Sequence, residues 1–379
     1  MPETVKIDVQ EDLSASLRAF FRSLLELEDI NALFIPQKLP PGNTVMPGLV
    51  TDPEKLENID PLAPAFPLNA ARVVARMTRR PMGGKVAVVL RPCEIRAFVE
   101  LLKLKQGMTD EIVLIGIDCP GAYPNKEYFR FTDSAGETST AAFLQTALLS
   151  EAGPADEFEL APACRVCEFF VPLSADIGIE LLGLDIKHQV IVQSRTEKGD
   201  NIIARLNLPE AHEPAGRQEA IDTLVARRIE ARDAMFTATH KKTGTIEKLS
   251  TYLAHCINCY NCRVACPVCY CKECVFVTDV FDHEPSQYLQ WSRRKGSIKM
   301  PTDTVFYHLT RLAHMSTACI GCGQCSNACP NDIPVMELFR TVAHQTQKAF
   351  DYEAGRNPDE KPPLSEFRED EFQEVVGLN

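Results

Sequence analysis

Eleven of the chain's fifteen cysteines lie between Cys256 and Cys329, in two bursts of one spacing. The first, CINCYNCRVACP, holds Cys256, Cys259, Cys262 and Cys266; the second, CIGCGQCSNACP, holds Cys319, Cys322, Cys325 and Cys329. Thiolates spaced C-x2-C-x2-C-x3-C-P are the ligand run of a [4Fe-4S] cluster, in which three close cysteines wrap one face of the cubane and the fourth turns away to ligate its neighbour. The ligand sets are therefore expected to cross. Cluster one takes Cys256, Cys259, Cys262 and Cys329; cluster two takes Cys319, Cys322, Cys325 and Cys266. Pro267 and Pro330 then turn the chain away from each cubane. Zinc motifs lack the three-plus-one arrangement and are a poor rival here.

Cys269, Cys271 and Cys274, in CPVCYCKEC, remain after both runs are filled. Three soft ligands within six residues suit a further iron or zinc with an outside fourth ligand, alternative ligation of cluster one, or simple packing. His255 and His314 lie near the motifs, but a lone histidine there is more often a surface or supporting group than a ligand.

The other four cysteines are Cys93, Cys119, Cys164 and Cys167. KVAVVLR (85–91) and EIVLIGID (111–118) are near-continuous apolar runs, as strands buried on both faces are. EIRAFVELLKLKQ (94–106) between them reads as a helix. The segment is a β-α-β unit, so its strands should run parallel. Cys93 and Cys119 then lie just past the carboxyl ends of two neighbouring strands, the edge at which open α/β sheets bind ligands. Cys164 and Cys167 form a C-x2-C pair in a proline-containing loop. The four together make a full ligand set for a third cluster; four-cysteine zinc and plain packing share the spacing.

The elements that must position these residues divide the chain. Leu13–Leu27 and Ala70–Arg80 have helical periodicity, as do Phe306–Ala318 and Val335–Phe350. The expected fold is an α/β N-terminal domain with a mainly parallel sheet over residues 1–245. A mainly helical, dicluster ferredoxin-like domain follows over 246–345, and an acidic C-terminal tail over 346–379. That tail reads as solvated. Fifty-two residues separate Cys266 from Cys319, so something is inserted between the two motifs. Arg79, Arg80 and Arg293 to Lys295 read as surface charges.

A formal charge of -12 opposes nucleic-acid binding. The apolar runs fall short of the roughly 20 residues that span a bilayer, and MPETVKIDVQEDLS is not an export signal. The expectation is a cytoplasmic protein whose thiols stay reduced and serve metals rather than disulfides.

The stretches VAVVLRPCEIRAFVELLKLKQG, VLIGIDCPG and CRVCEFFVPLSADIGIELLG resemble the beta-subunit family of coenzyme F420-reducing hydrogenases and dehydrogenases. The matching features are Pro92-Cys93, Cys119, and Cys164 with Cys167 ahead of Ala175-Asp176-Ile177. The resemblance implies a [4Fe-4S] cluster beside bound FAD, with hydride exchanged with a deazaflavin or a related carrier such as NAD(P). The FAD residues are not identified by it, and no G-x-G-x-x-G loop is present. Here the ferredoxin-type motifs follow that domain instead of preceding it. The C-terminal module resembles the dicluster domains of heterodisulfide-reductase C subunits and succinate-dehydrogenase iron-sulfur subunits. These resemblances imply an oxidoreductase subunit whose partners are a hydrogenase, a formate dehydrogenase or a heterodisulfide-reductase-like complex. A flavin would reconcile two-electron hydride carriers with one-electron cubanes. The alternative is a flavin-free iron-sulfur wire with no substrate of its own.

Overall fold

The computed structural model describes residues 3–10, 12–40, 43–148, 157–271, 273–278, 284–295 and 303–365. Seven strands form one sheet: β1 Thr4–Asp8, β2 Ile30–Leu39, β3 Thr44–Val50, β4 Lys85–Leu90, β5 Ile112–Ile117, β6 Ile177–Glu180 and β7 Gln189–Ser194. Their order is β1-β7-β6-β5-β4-β2-β3. The four central strands, β2, β4, β5 and β6, run parallel. The sheet has the expected parallel centre, and both of its edges are antiparallel. The cause is connection length. The few residues between β2 and β3, and the eight between β6 and β7, suffice for a hairpin but not for a crossover.

Alternate residues of β4 serve opposite faces. Ala87 and Val89 pack beneath the helix Leu13–Leu25, while Val86, Val88 and Leu90 meet the helices Ala71–Met77 and Pro92–Lys103. The second apolar cluster does not stop at those helices. It continues through Leu249 and Leu253, Tyr307 and Leu312, to Leu338 and Phe339, so both cysteine motifs hang from the core that covers the sheet.

Two features of the fold lie outside the sequence expectations. The first is the helix Arg217–Thr243, about 40 Å long at 1.5 Å per residue. It carries Arg217 into the sheet edge, where the guanidinium grips both carboxylate oxygens of Asp118; both side chains are at most 1% exposed. Asp118 also accepts from the backbone N–H groups of Leu181 and Leu182. Asp118 is thus a tie between strand ends. Replacing it with alanine removes the bidentate partner of a buried cation, which keeps only Glu180 and the more exposed Glu213, and we expect a stability loss of about 3 kcal/mol, read as a lower denaturation midpoint.

The second is the segment after Ala349. Instead of lying in solvent, it folds back along the Pro92–Lys103 helix. The Tyr352 hydroxyl donates to buried Glu100, Gly355 N–H donates to the same carboxylate, and Arg96 donates to the carbonyl of Ala354. A buried carboxylate needs such donors, and Tyr352 and Gly355 provide them. The part of the tail from 366 to 379 lies outside the described residues.

Candidate iron-sulfur centres

At the sheet edge, β4 ends at Leu90 and the next helix begins at Pro92, so Cys93 sits in the helix's first turn. Cys119 follows β5, with its N–H donating to the carbonyl of Phe170 at 2.9 Å. Cys164 lies on the short helix Pro162–Arg165, and the N–H of Cys167 donates to the carbonyl of Cys164. Burial drives the Cys93 thiol well above its ordinary value, and Glu94, Cys119, Cys322 and Cys167 push it the same way. Burial likewise pushes Cys164 up to about 12, with Cys119 and Cys167 adding to it. Cys119 and Cys167 thus act on both Cys93 and Cys164 at one strand edge. Thiols this reluctant to ionise become thiolates when a metal's positive charge compensates the lost proton.

Cations frame the group. Arg91 points Nη1 at the Cys119 sulfur, 3.5 Å away, and is anchored through Nη2 on the carbonyls of Ala63 and Ala65. Arg228, from the long helix, donates to the carbonyls of Cys167 and Pro120.

The second motif packs directly onto this group. Gly323 has φ +81°, and a Cβ there would come within 2.5 Å of the Ala163 Cβ, beside Cys164. Only glycine allows both the left-handed backbone and the close approach. Burial raises the Cys319 thiol to about 11, with Cys266 next in effect. It also raises Cys322 and Cys325, where Cys266 and the motif's other cysteines push the same way. Cys266, the fourth cysteine of the first motif, is thus near enough to the first three of the second to act on each of their thiols.

The reciprocal holds at the first motif. Burial raises Cys256, and the neighbouring thiols of Cys262, Cys259 and Cys329 add to it. The helix Asp303–Met315 covers this group with one face: Arg311 donates to the Cys262 sulfur at 3.1 Å and to its carbonyl. The Tyr307 hydroxyl lies 3.5 Å from the same sulfur, and His308 Nε2 lies 3.4 Å from the sulfur of Cys256. Burial first, and then Arg311, lower His308 to about 4, so it is neutral at pH 7. Donors to cluster sulfurs stabilise the reduced, more negative state. Replacing Arg311 with methionine is expected to lower the first-motif cluster's potential by roughly 65–130 mV. This follows from about 1.5–3 kcal/mol for a charge-assisted hydrogen bond and 59 mV per tenfold for one electron. Potentiometric titration followed by EPR reads the shift.

The three spare cysteines differ in setting. Cys269 is buried, Cys274 is partly buried and Cys271 is exposed. Burial pushes Cys269 up to about 11, and Cys266 adds to it. Among the described residues, no three His, Cys, Asp or Glu side chains converge on a point where one metal ion would sit. His255 offers its backbone carbonyl to Asn331, and His314 is exposed.

Residues 83–213 match the C-terminal domain of the coenzyme F420 hydrogenase/dehydrogenase beta subunit, and residues 252–333 match a 4Fe-4S dicluster domain. The two matches follow one another along the chain without overlap. Two curated relatives align along nearly the whole chain. The F420-dependent formate dehydrogenase subunit beta of Methanocaldococcus jannaschii is 23% identical, over 93% of this chain and 94% of its own. The F420-dependent formate dehydrogenase 1 subunit beta of Methanococcus maripaludis is 25% identical, over 93% of each. A chain in a structure of the F420-reducing [NiFe] hydrogenase complex from Methanosarcina barkeri is also similar. It has a TM-score of 0.47 and 17% identity, over 65% of this chain and 94% of that one.

Within the beta-subunit domain, the position at which doubly wound sheets hold a dinucleotide's pyrophosphate is filled. The Glu94 carboxylate accepts from the N–H of Arg91 at the start of the Pro92 helix and from the N–H of Ala70 at the start of the Ala71–Met77 helix, and the cavity at this edge is only about 20 Å³. FAD does not fit there. A groove of about 1470 Å³ opens beyond the end of β2, bordered by Arg18, Lys38, Asn43, Asn58 and Thr138. Asp12, Asp133 and Lys187 border it too, so its lining is of mixed charge. In the dicluster domain, Tyr307, His308 and Arg311 carry a sequence signal in hindsight: they share one face of a helix beside a cysteine motif.

Proposed function

We propose that the chain is the electron-carrying beta subunit of an F420-linked oxidoreductase of the formate dehydrogenase or hydrogenase type. Three [4Fe-4S] clusters stand in line in this reading. Cys93, Cys119, Cys164 and Cys167 hold the first, at the sheet edge. Cys319, Cys322, Cys325 and Cys266 hold the middle one, and Cys256, Cys259, Cys262 and Cys329 hold the last. The observation that carries the proposal is the neighbourhood of Cys93 and Cys322, together with the seating of Gly323 on Ala163. That contact brings the sheet-edge cysteines next to the dicluster domain. Electrons then have a short covalent and packed route from one end to the other. The exposed Cys259 marks the end at which a partner subunit takes them.

FAD belongs to this reading as the group that splits a hydride pair into single electrons when bound. Arg18 and Lys38 would meet its phosphates in the groove beyond β2. On the protein side, Arg91 and Arg228 hold the sheet-edge loops, and the donors on the Asp303–Met315 helix set the last cluster's potential. Fifteen free cysteines fit a reducing, cytoplasmic setting. No described helix is long and apolar enough to cross a membrane.

The test is to mix the anaerobic full-length protein with reduced F420 and, separately, with NADH and NADPH, and to assay its flavin. The expected result is one FAD per chain and cluster bleaching by reduced F420. Flavin-free protein whose clusters ignore all three donors and accept electrons only from a partner subunit would reduce it to a wire.

A further inference from the structure

A cavity of about 300 Å³ beside the first cysteine motif is lined by four guanidinium groups: Arg72, Arg76, Arg79 and Arg263. It lies where the helix Ala71–Met77, the end of the Pro92–Lys103 helix and that motif meet. Among the described residues, no carboxylate pairs with any of the four. The hydrogen bonds of Arg72 and Arg79 go instead to neutral acceptors that fix their direction. Arg72 donates to the carbonyl of Val264 at 2.9 Å, and Arg79 donates to the carbonyl and the side-chain amide oxygen of Gln106. Arg263 has a buried Nε with no hydrogen-bond partner.

The crowding runs against the protein's overall charge of -12. Burial lowers the Arg72 pKa, and the like charges of Arg76 and Arg263 lower it further, against the opposing pull of Cys269 and Cys266. Cations held together without a carboxylate among them repel one another, and an anion seated there removes that penalty. Guanidinium forks match the paired oxygens of a phosphoryl group better than any other side chain does. A phosphoryl group also brings up to about two negative charges at neutral pH, against one for a carboxylate. The volume has room for a diphosphate or a small phosphomonoester. Tyr270, also on the wall, adds a hydroxyl and an apolar ring for the remainder of such a molecule.

We propose that this cavity is a binding site for the phosphoryl group of a small phosphorylated molecule, separate from the groove beyond β2. The proposal rests on the charge and shape of the cavity and not on the electron-transfer reading.

The experiment is calorimetric titration of the anaerobic full-length protein with inorganic pyrophosphate as the probe. One saturable site is expected, with affinity falling as salt rises. Arg72→Gln combined with Arg263→Gln should weaken binding at least tenfold. Because Arg263 lies between two cysteine ligands, Arg76→Gln is the second variant: its side chain is exposed and outside both motifs, and it should weaken binding several-fold with iron content unchanged. Absence of binding, or equal binding by wild type and both variants, would overturn the proposal. So would binding that emerges only after residues 366–379 are removed, since the cavity would then belong to the chain's own acidic tail.

Discussion

Changing Cys266 to serine abolishes the cluster of the second motif and spares most of the first. The expectation runs against the order of the chain, because Cys266 belongs to the first run of cysteines. It follows from which thiols feel one another: Cys266 acts on Cys319, Cys322 and Cys325, while Cys329 acts on Cys256. A cubane left with three cysteine ligands loses iron readily or converts, so about four irons should go from the second centre while the first keeps its four cysteines. Cys329→Ser gives the mirror image. EPR of the reduced single variants separates the two signals. If Cys266→Ser removes the signal perturbed by Arg311→Met, ligation is local to each motif and the crossed assignment fails.

Removing Cys119 has the other large effect. Its sulfur faces Arg91 from the end of β5, and its loss leaves a three-cysteine site at the sheet edge. Cys119→Ser is expected to lose about four irons per chain and to leave both dicluster signals in place. Electron entry from a hydride donor should slow by orders of magnitude, while electrons supplied at the Cys259 end still reduce the two remaining centres. Stopped-flow reduction from each end reads the difference. Unchanged entry in Cys119→Ser would mean that these four cysteines merely pack.

Much of this arrangement was legible in the residues. The β-branched runs around Val88 and Ile115, with a helix between them, define a parallel pair and put Cys93 and Cys119 on one edge; the structure has that pairing. The helices over Val335–Ala349 and Asp303–Met315 were readable from their apolar spacing to within a few residues. The helix Arg217–Thr243 was not. Its buried residues are Arg217, Arg228 and Thr239, so it has no apolar stripe for periodicity to find, and its place is set by ion pairs and carbonyl contacts. The return of the tail was hidden for a related reason. A single tyrosine and a glycine satisfying the buried Glu100 outweigh a polar composition, and no local pattern announces a partner some 250 residues away. The hydrogen-bond donors to Cys256 and Cys262 share that character, since a helix face is visible in sequence but the sulfur it covers is not.

The most direct measurement of the central claim is iron and acid-labile sulfide per chain, with EPR of the stepwise-reduced protein, on full-length material prepared without oxygen. Three clusters in line predict about twelve irons, about twelve sulfides and magnetic coupling between neighbouring signals. About eight irons, with two coupled centres and no third, would contradict the sheet-edge cluster and the electron path that begins there.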